Sequence, residues 1–134
     1  MSPAPMQASG PRRAWTALAL ALYLAMLVWA AVPGQEQQLF GQTSDKLLHF
    51  GAYGLIAGGV FLGEPGTVRQ RAARTVALVA VLGGLDEAIQ SLQAHRTPDW
   101  SDWATDLLAA VTVSAVALAE SKRRSAGLAR RFPT

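Results

Sequence analysis

Residues 14–32 form a run of nineteen consecutive uncharged positions, which as an α-helix is about 28 Å long, close to the thickness of a bilayer's hydrocarbon core. No other feature restricts the fold as much. Lipid offers backbone N–H and C=O groups no water to bond, so a spanning segment of this kind has to be helical. Three further apolar stretches follow at 47–63, 75–92 and 104–119, each near the short end of the spanning range. The 75–92 stretch is the weakest, because its clean run stops at Leu85 and a span there must carry Asp86, Glu87 and Gln90 into the membrane zone. A cleavable signal peptide built on Arg12 and Arg13 and cut near Ala30 and Ala31 fits less well, since the run exceeds the roughly 7–15 apolar residues of such a segment.

Charge sorts with these stretches. With the N-terminus placed in the cytoplasm, ten of the twelve Lys and Arg fall on the inner side, leaving Lys46 and Arg96 outside, while seven of the nine acids fall outside. Cytoplasmic loops are enriched in this way, so the pI near 10.0 is an orientation signal and not an affinity for nucleic acid. Trp15, Trp29, Trp100 and Trp103 lie near span ends, at the headgroup level that such rings favour. The chain is 51% hydrophobic and 16% charged with no Cys, which excludes a disordered chain and a disulfide scaffold. The expected architecture is all-α: a flexible cytoplasmic N-terminus (1–13), a bundle of four transmembrane helices (14–120) and a basic, flexible cytoplasmic tail (121–134), with both termini inside.

Gly54 and Gly58, and Gly59 and Gly63, each have the small-xxx-small spacing that lets helix backbones approach closely. Ala77, Ala80 and Gly84 in the third stretch and Ala110, Ser114 and Ala117 in the fourth are further small positions, and together they predict a compact bundle.

The same topology gathers polar residues at the outer side. Asp45, His49 and Tyr53 follow i, i+4, i+8 spacing and share a helix face, with Lys46 beside them. Asp86, Glu87 and Gln90 end the third stretch, and Asp102 and Asp106 share a face at the start of the fourth, after a loop carrying His95, Arg96 and Asp99. Ionisable groups at membrane depth usually face the interior or a wet cavity and pair with one another. The acids outnumber the nearby cations, Lys46 and Arg96, so a proton, a metal ion or a cationic ligand has a place among them. Asp45, Asp99 and Asp102 also read as helix N-caps, and Arg96 as a structural partner of Asp99 or Glu87.

The blocks Asp45-Lys46-Leu47-Leu48-His49, Asp86-Glu87-Ala88-Ile89-Gln90, Arg96 and Asp102-Trp103-Ala104-Thr105-Asp106 resemble, in kind and order, the VanZ-like family of small bacterial membrane proteins over about residues 45–118. The resemblance implies a helical protein of the bacterial cytoplasmic (inner) membrane whose polar site comprises Asp45, Lys46, His49, Asp86, Glu87, Gln90, Arg96, Asp102 and Asp106. It also implies a link to glycopeptide resistance of the teicoplanin type, from which the family takes its name. The chain departs from the family pattern at Ile89, where members often carry His, at Ala94-His95, where they carry Pro-Gly, and at Ala109 and Ala110, where a Gly is usual. His95 is a candidate substitute for the missing His.

Three function classes stay open on the sequence. The first is an envelope accessory protein binding a polar, lipid-linked or peptidoglycan-related ligand, with the acids meeting a cationic or polar group and Arg96 and Lys46 holding a phosphate or carboxylate. The second is an enzyme on a lipid-linked substrate, with Asp86 or Glu87 as general base and His49, oriented by Asp45, as a second acid–base group. A variant of it uses a divalent metal held by His49, Asp86, Glu87 and Asp106, an O/N set compatible with Zn or Mn. The third is proton or ion conduction, which the scarcity of polar groups in the inner halves of the stretches disfavours. Nucleophile-elbow, zinc-helix and P-loop motifs are absent from the sequence.

Overall fold

The computed structural model describes residues 10–32, 42–94 and 97–131, and its regular elements are four α-helices: α1 (Gly10–Ala30), α2 (Gln42–Gly63), α3 (Val68–Gln90) and α4 (Trp100–Arg131). Among the described residues there is no strand. Three helices are long and apolar enough to cross a membrane, over Gly10–Ala30, Lys46–Gly63 and Trp100–Leu128. The helix α3 is not among these, because Arg69, Arg71 and Arg74 near its start and Asp86 and Glu87 near its end leave only the run 75–85 uncharged within it.

The turn from α2 to α3 occupies residues 64–67. Gly66 takes φ +106° there, a left-handed conformation that costs glycine least. Thr67 then caps α3 through a capping box, its side chain accepting from the Gln70 N–H while the Gln70 side chain accepts from the Thr67 N–H. So short a connection makes α2 and α3 antiparallel neighbours.

Helix α4 packs against both α2 and α3, and α1 packs against α2; two of these seams contain a glycine close approach. In the first, α1 runs antiparallel to α2: a Cβ on Gly59 would lie 2.9 Å from Ala19 Cβ, and one on Gly63 would collide with the Thr16 side chain and lie 3.1 Å from the Arg12 carbonyl. The Gly59/Gly63 pair is thus a real close approach. The Gly54/Gly58 pair is not, since a Cβ on either would meet nothing within 4 Å. In the second seam α3 packs along α4, and the close approach falls on Gly83, not on the expected Gly84: a Cβ on Gly83 would lie 2.9 Å from Asp106 Oδ2 and 3.1 Å from Trp103 Cδ1. The seams share the apolar core of Ala19, Tyr23, Tyr53, Ile56, Val60, Val79, Ala109 and Ala110.

The polarity of the bundle is inverted relative to a water-soluble domain. Leu24, Leu55, Val81 and Val116 are 59–69% exposed, while His49, Asp86, Glu87, Gln90, Asp102 and Asp106 are 0–8% exposed. An apolar exterior around a polar interior suits a lipid environment. The contacts also put the start of α1, the end of α2 and the start of α3 at one end, with Arg12, Arg13, Arg69, Arg71 and Arg74. Arg71 donates to the Phe61 carbonyl (2.8 Å) and lies over the Phe61 ring. Residues 121–131, expected to be a flexible end, instead continue α4 as helix. At 32 residues this helix is about 48 Å long.

Candidate functional site

The start of α2, the end of α3 and the start of α4 meet at the other end of the bundle, and their polar side chains form two tiers. The outer tier is organised by Lys46. Its ammonium donates to Asp102 Oδ1 (3.0 Å), to Asp99 Oδ2 (3.4 Å) and to the Ser101 hydroxyl. Asp99 terminates α4 as a cap: Oδ1 accepts from the Ser101 N–H (2.8 Å) and the carbonyl accepts from the Asp102 N–H (2.9 Å). Hydrogen bonds from Ser101 hold the Asp99 carboxyl below its ordinary range, with Lys46 adding to the effect. The Asp99 N–H donates to Glu87 Oε2 (2.7 Å), which ties the start of α4 to the end of α3. Lys46 is therefore engaged with acids of the chain itself.

The inner tier lies on one face of α3, where Gly83, Asp86, Glu87 and Gln90 follow i, i+3, i+4, i+7 spacing, opposite Asp106 of α4 and His49 and Tyr53 of α2. His49 and Asp106 pair across helices at 3.1 Å between Nδ1 and Oδ1. The His49 ring lies nearly parallel to that of Tyr53, with centroids 6.1 Å apart and 11° between planes. The Tyr53 hydroxyl donates to Asp86 Oδ2 (3.4 Å), and Tyr23 of α1 packs edge-on against Tyr53 while donating to the Leu82 carbonyl (3.0 Å). Asp86, Glu87, Gln90 and Asp106 are each at most 3% exposed.

What distinguishes the inner tier is what it leaves unmade. Asp86 Oδ1, Glu87 Oε1 and Asp106 Oδ2 are buried and have no hydrogen-bond partner within 3.5 Å among the described residues, and the Gln90 amide, one turn along α3, lies against the Asp86 carboxyl. The great majority of buried polar groups are bonded, and leaving one unsatisfied costs about 1–3 kcal/mol, more if it is charged.

The structure thus brings together Lys46, His49, Asp86, Glu87, Gln90, Asp102 and Asp106 of the sequence-derived set. The Asp45 side chain, His95 and Arg96 lie outside the described residues, so the expected orientation of His49 by Asp45 and the role of Arg96 are not described. Among the described residues no three His, Asp or Glu side chains are grouped to hold a metal ion; the set of His49, Asp86, Glu87 and Asp106 is not assembled as a metal centre.

Sequence reasoning missed three contributors. Trp103, read as an interfacial anchor, donates from Nε1 to the Ala80 carbonyl (3.0 Å) and wedges α4 against α3. Ser101 completes the Lys46 cage, and Tyr23 reaches in from α1. Thr75 and Ser114, also buried with unpartnered hydroxyls, lie a further two turns along the α3–α4 seam. The only signal for Trp103 in the sequence is its i, i+3 spacing with Asp106, which puts both on one face of α4. No protein-family model, curated protein or solved structure matches the chain.

Proposed function

We propose that this chain is a VanZ-like, multi-pass protein of the bacterial cytoplasmic membrane. In this reading it has four spans and both termini inside, and its acid-rich end faces outward to bind a polar envelope or lipid-linked ligand. The observation that carries the binding role is the set of three buried carboxylate oxygens on α3 and α4, Asp86 Oδ1, Glu87 Oε1 and Asp106 Oδ2, that have no partner among the described residues. The separation of an Arg-rich end from an acid-rich end supports the orientation. α3 supports a fourth span by its 23 residues and its packing along α4, which shield its polar face from lipid. The order of the Lys46/His49, Asp86/Glu87/Gln90 and Asp102/Asp106 blocks supports the family, and with it a part in teicoplanin-type resistance.

A second reading, acid–base catalysis on a lipid-linked substrate, is favoured by the His49–Asp106 pair: a carboxylate on one ring nitrogen fixes the orientation of the imidazole and leaves the other nitrogen for proton transfer.

Native mass spectrometry of the detergent-extracted protein tests the binding role. Wild type is expected to retain a polar lipid or lipid-linked molecule that Glu87→Gln loses at equal expression. Identical, ligand-free spectra for both would remove the proposal.

A further inference from the structure

The opposite end of the bundle gathers cations, and two of them sit on inward-facing stripes. Arg12 shares its face of α1 with Thr16, Ala19 and Tyr23, at i, i+4, i+7 and i+11, and Ala19 and Tyr23 are buried in the core. Arg71 shares its face of α3 with Thr75, Val79, Leu82 and Asp86, at i, i+4, i+8, i+11 and i+15, all four of them buried. Both arginines flank the end of α2: the Arg12 carbonyl lies 3.1 Å from where a Gly63 Cβ would stand, and Arg71 bonds the carbonyl of Phe61. The two guanidinium groups are near enough for the Arg12 charge to oppose that of Arg71.

The acids at this end are committed elsewhere. They are Glu64 and Glu120 in the sequence; Glu64 pairs with Arg74 at 3.4 Å and Glu120 with Arg124 at 2.9 Å. Residues 1–9 contain no Asp or Glu, and among the described residues neither Arg12 nor Arg71 forms an ion pair. Arg71 is also held in place, since its Nε–H donates to Phe61 (2.8 Å) and its guanidinium carbon lies 4.2 Å from the centre of the Phe61 ring. A guanidinium fixed along one edge offers its terminal donors as a planar fork that matches a phosphate.

The setting selects which phosphate. Trp15, one turn from Arg12, is 43% exposed, and Leu62, beside Phe61, is 44% exposed. A ring such as Trp15 marks the headgroup level, so the pair lies where phospholipid phosphates lie, with apolar side chains alongside for acyl chains. A headgroup carrying its own ammonium would meet repulsion from Arg12, Arg13 and Arg69; a net-negative one would not. We infer that Arg12 and Arg71 together hold the phosphate of an anionic phospholipid at the end of α2. This goes beyond the ligand of the acid-rich end, and in the proposed orientation the lipid belongs to the cytoplasmic leaflet.

The test uses the full chain in dodecyl maltoside, with thermal unfolding followed by Trp fluorescence. Phosphatidylglycerol is expected to raise Tm by about 5 °C at saturation, and phosphatidylcholine at the same mole fraction, like inorganic phosphate, to leave it unchanged. Arg12→Gln and Arg71→Gln are each expected to lose most of the shift, and Arg13→Gln and Arg69→Gln, off the inward stripes, to keep it. Arg71 also serves the last turn of α2; should Arg71→Gln fail to fold, Arg12→Gln decides by itself.

An equal rise with phosphatidylcholine overturns the inference, as does no rise with phosphatidylglycerol, which is what a helix-capping role for Arg71 alone predicts. Equal loss of the shift in Arg13→Gln, Arg69→Gln and Arg12→Gln overturns the paired site in favour of diffuse attraction to an anionic surface. A rise with inorganic phosphate as large as that with phosphatidylglycerol overturns the lipid assignment in favour of a soluble anion.

Discussion

The two tiers of the polar cluster are built from the same side-chain types and differ in one respect. In the outer tier every acid has a partner, and Lys46 and Asp99 are about half exposed, with side chains 45% and 53% accessible. In the inner tier the acids are closed off from solvent, and Asp86, Glu87 and Asp106 each have one oxygen with no partner within 3.5 Å among the described residues. The difference is one of cost: exposed, matched ion pairs contribute little to stability, whereas buried, unmatched carboxylates are costly. An arrangement that costs stability persists where the fold around it is firm, and here the Gly83 close approach and the Trp103 wedge supply that firmness.

The largest expected effect comes from the seams that hold the inner tier. Gly83→Ala places a Cβ against Asp106 and Trp103 and is expected to destabilise by about 1–3 kcal/mol, whereas Gly84→Ala, whose nearest neighbour is Trp103 Nε1 at 3.8 Å, is expected to be neutral or slightly stabilising through helix propensity. Thermal melts of the two in the same detergent check this contrast, and equal losses would place the close approach elsewhere.

Tyr53→Phe comes next. It removes the hydroxyl that donates to Asp86 and leaves a second oxygen of that carboxylate unsatisfied, at a cost of about 1–3 kcal/mol. Denaturant titration followed by Trp fluorescence checks it.

Asp86→Asn moves the other way. Removing a buried carboxylate that no described Lys or Arg pairs is expected to leave stability unchanged or raise it by about 1 kcal/mol while ligand retention is lost, the opposition of stability and function common at binding sites. A melt and a native mass spectrum on one preparation check both halves; loss of stability together with loss of ligand would make Asp86 a structural residue.

The smallest effect belongs to the outer tier. Because the Asp99 carboxyl is held low in the folded state, its contribution to stability is fully present above the unfolded value near pH ~3.9 and fades as pH falls through the lower folded value. Lys46→Ala or Ser101→Ala should flatten that acid limb of the stability–pH curve and change little at neutral pH.

Much of this was legible in the sequence, for identifiable reasons. Uncharged runs locate α1, α2 and α4, because a helix in lipid has to be apolar along its length. α3 was harder: its polar face is buried against other helices, so mean hydropathy understates its fit to a bilayer-embedded bundle. Spacing within one helix placed Asp86 with Gln90 and Asp102 with Asp106, since residues one turn apart share a face. Pairings between helices were not legible. Nothing in the sequence matches His49 to Asp106, commits Lys46 to Asp99, Ser101 and Asp102, or selects Gly59/Gly63 over Gly54/Gly58, because each depends on the rotation of one helix against another. The helical course of residues 121–131 was hidden by their composition, which is polar and basic but contains no proline or run of glycine to stop a helix.

Every functional statement depends on the acid-rich end facing outward, and the absence of Cys allows this to be tested one position at a time. Single Cys residues at Thr97, at Gln70 and at Ser125, all exposed positions, are challenged in intact cells with a membrane-impermeant thiol reagent. The expected result is labelling at Thr97 alone, with Gln70 and Ser125 labelled only after the membrane is permeabilised. Labelling of Gln70 and Ser125 in intact cells with Thr97 protected would contradict an outward site and turn both tiers toward the cytoplasm.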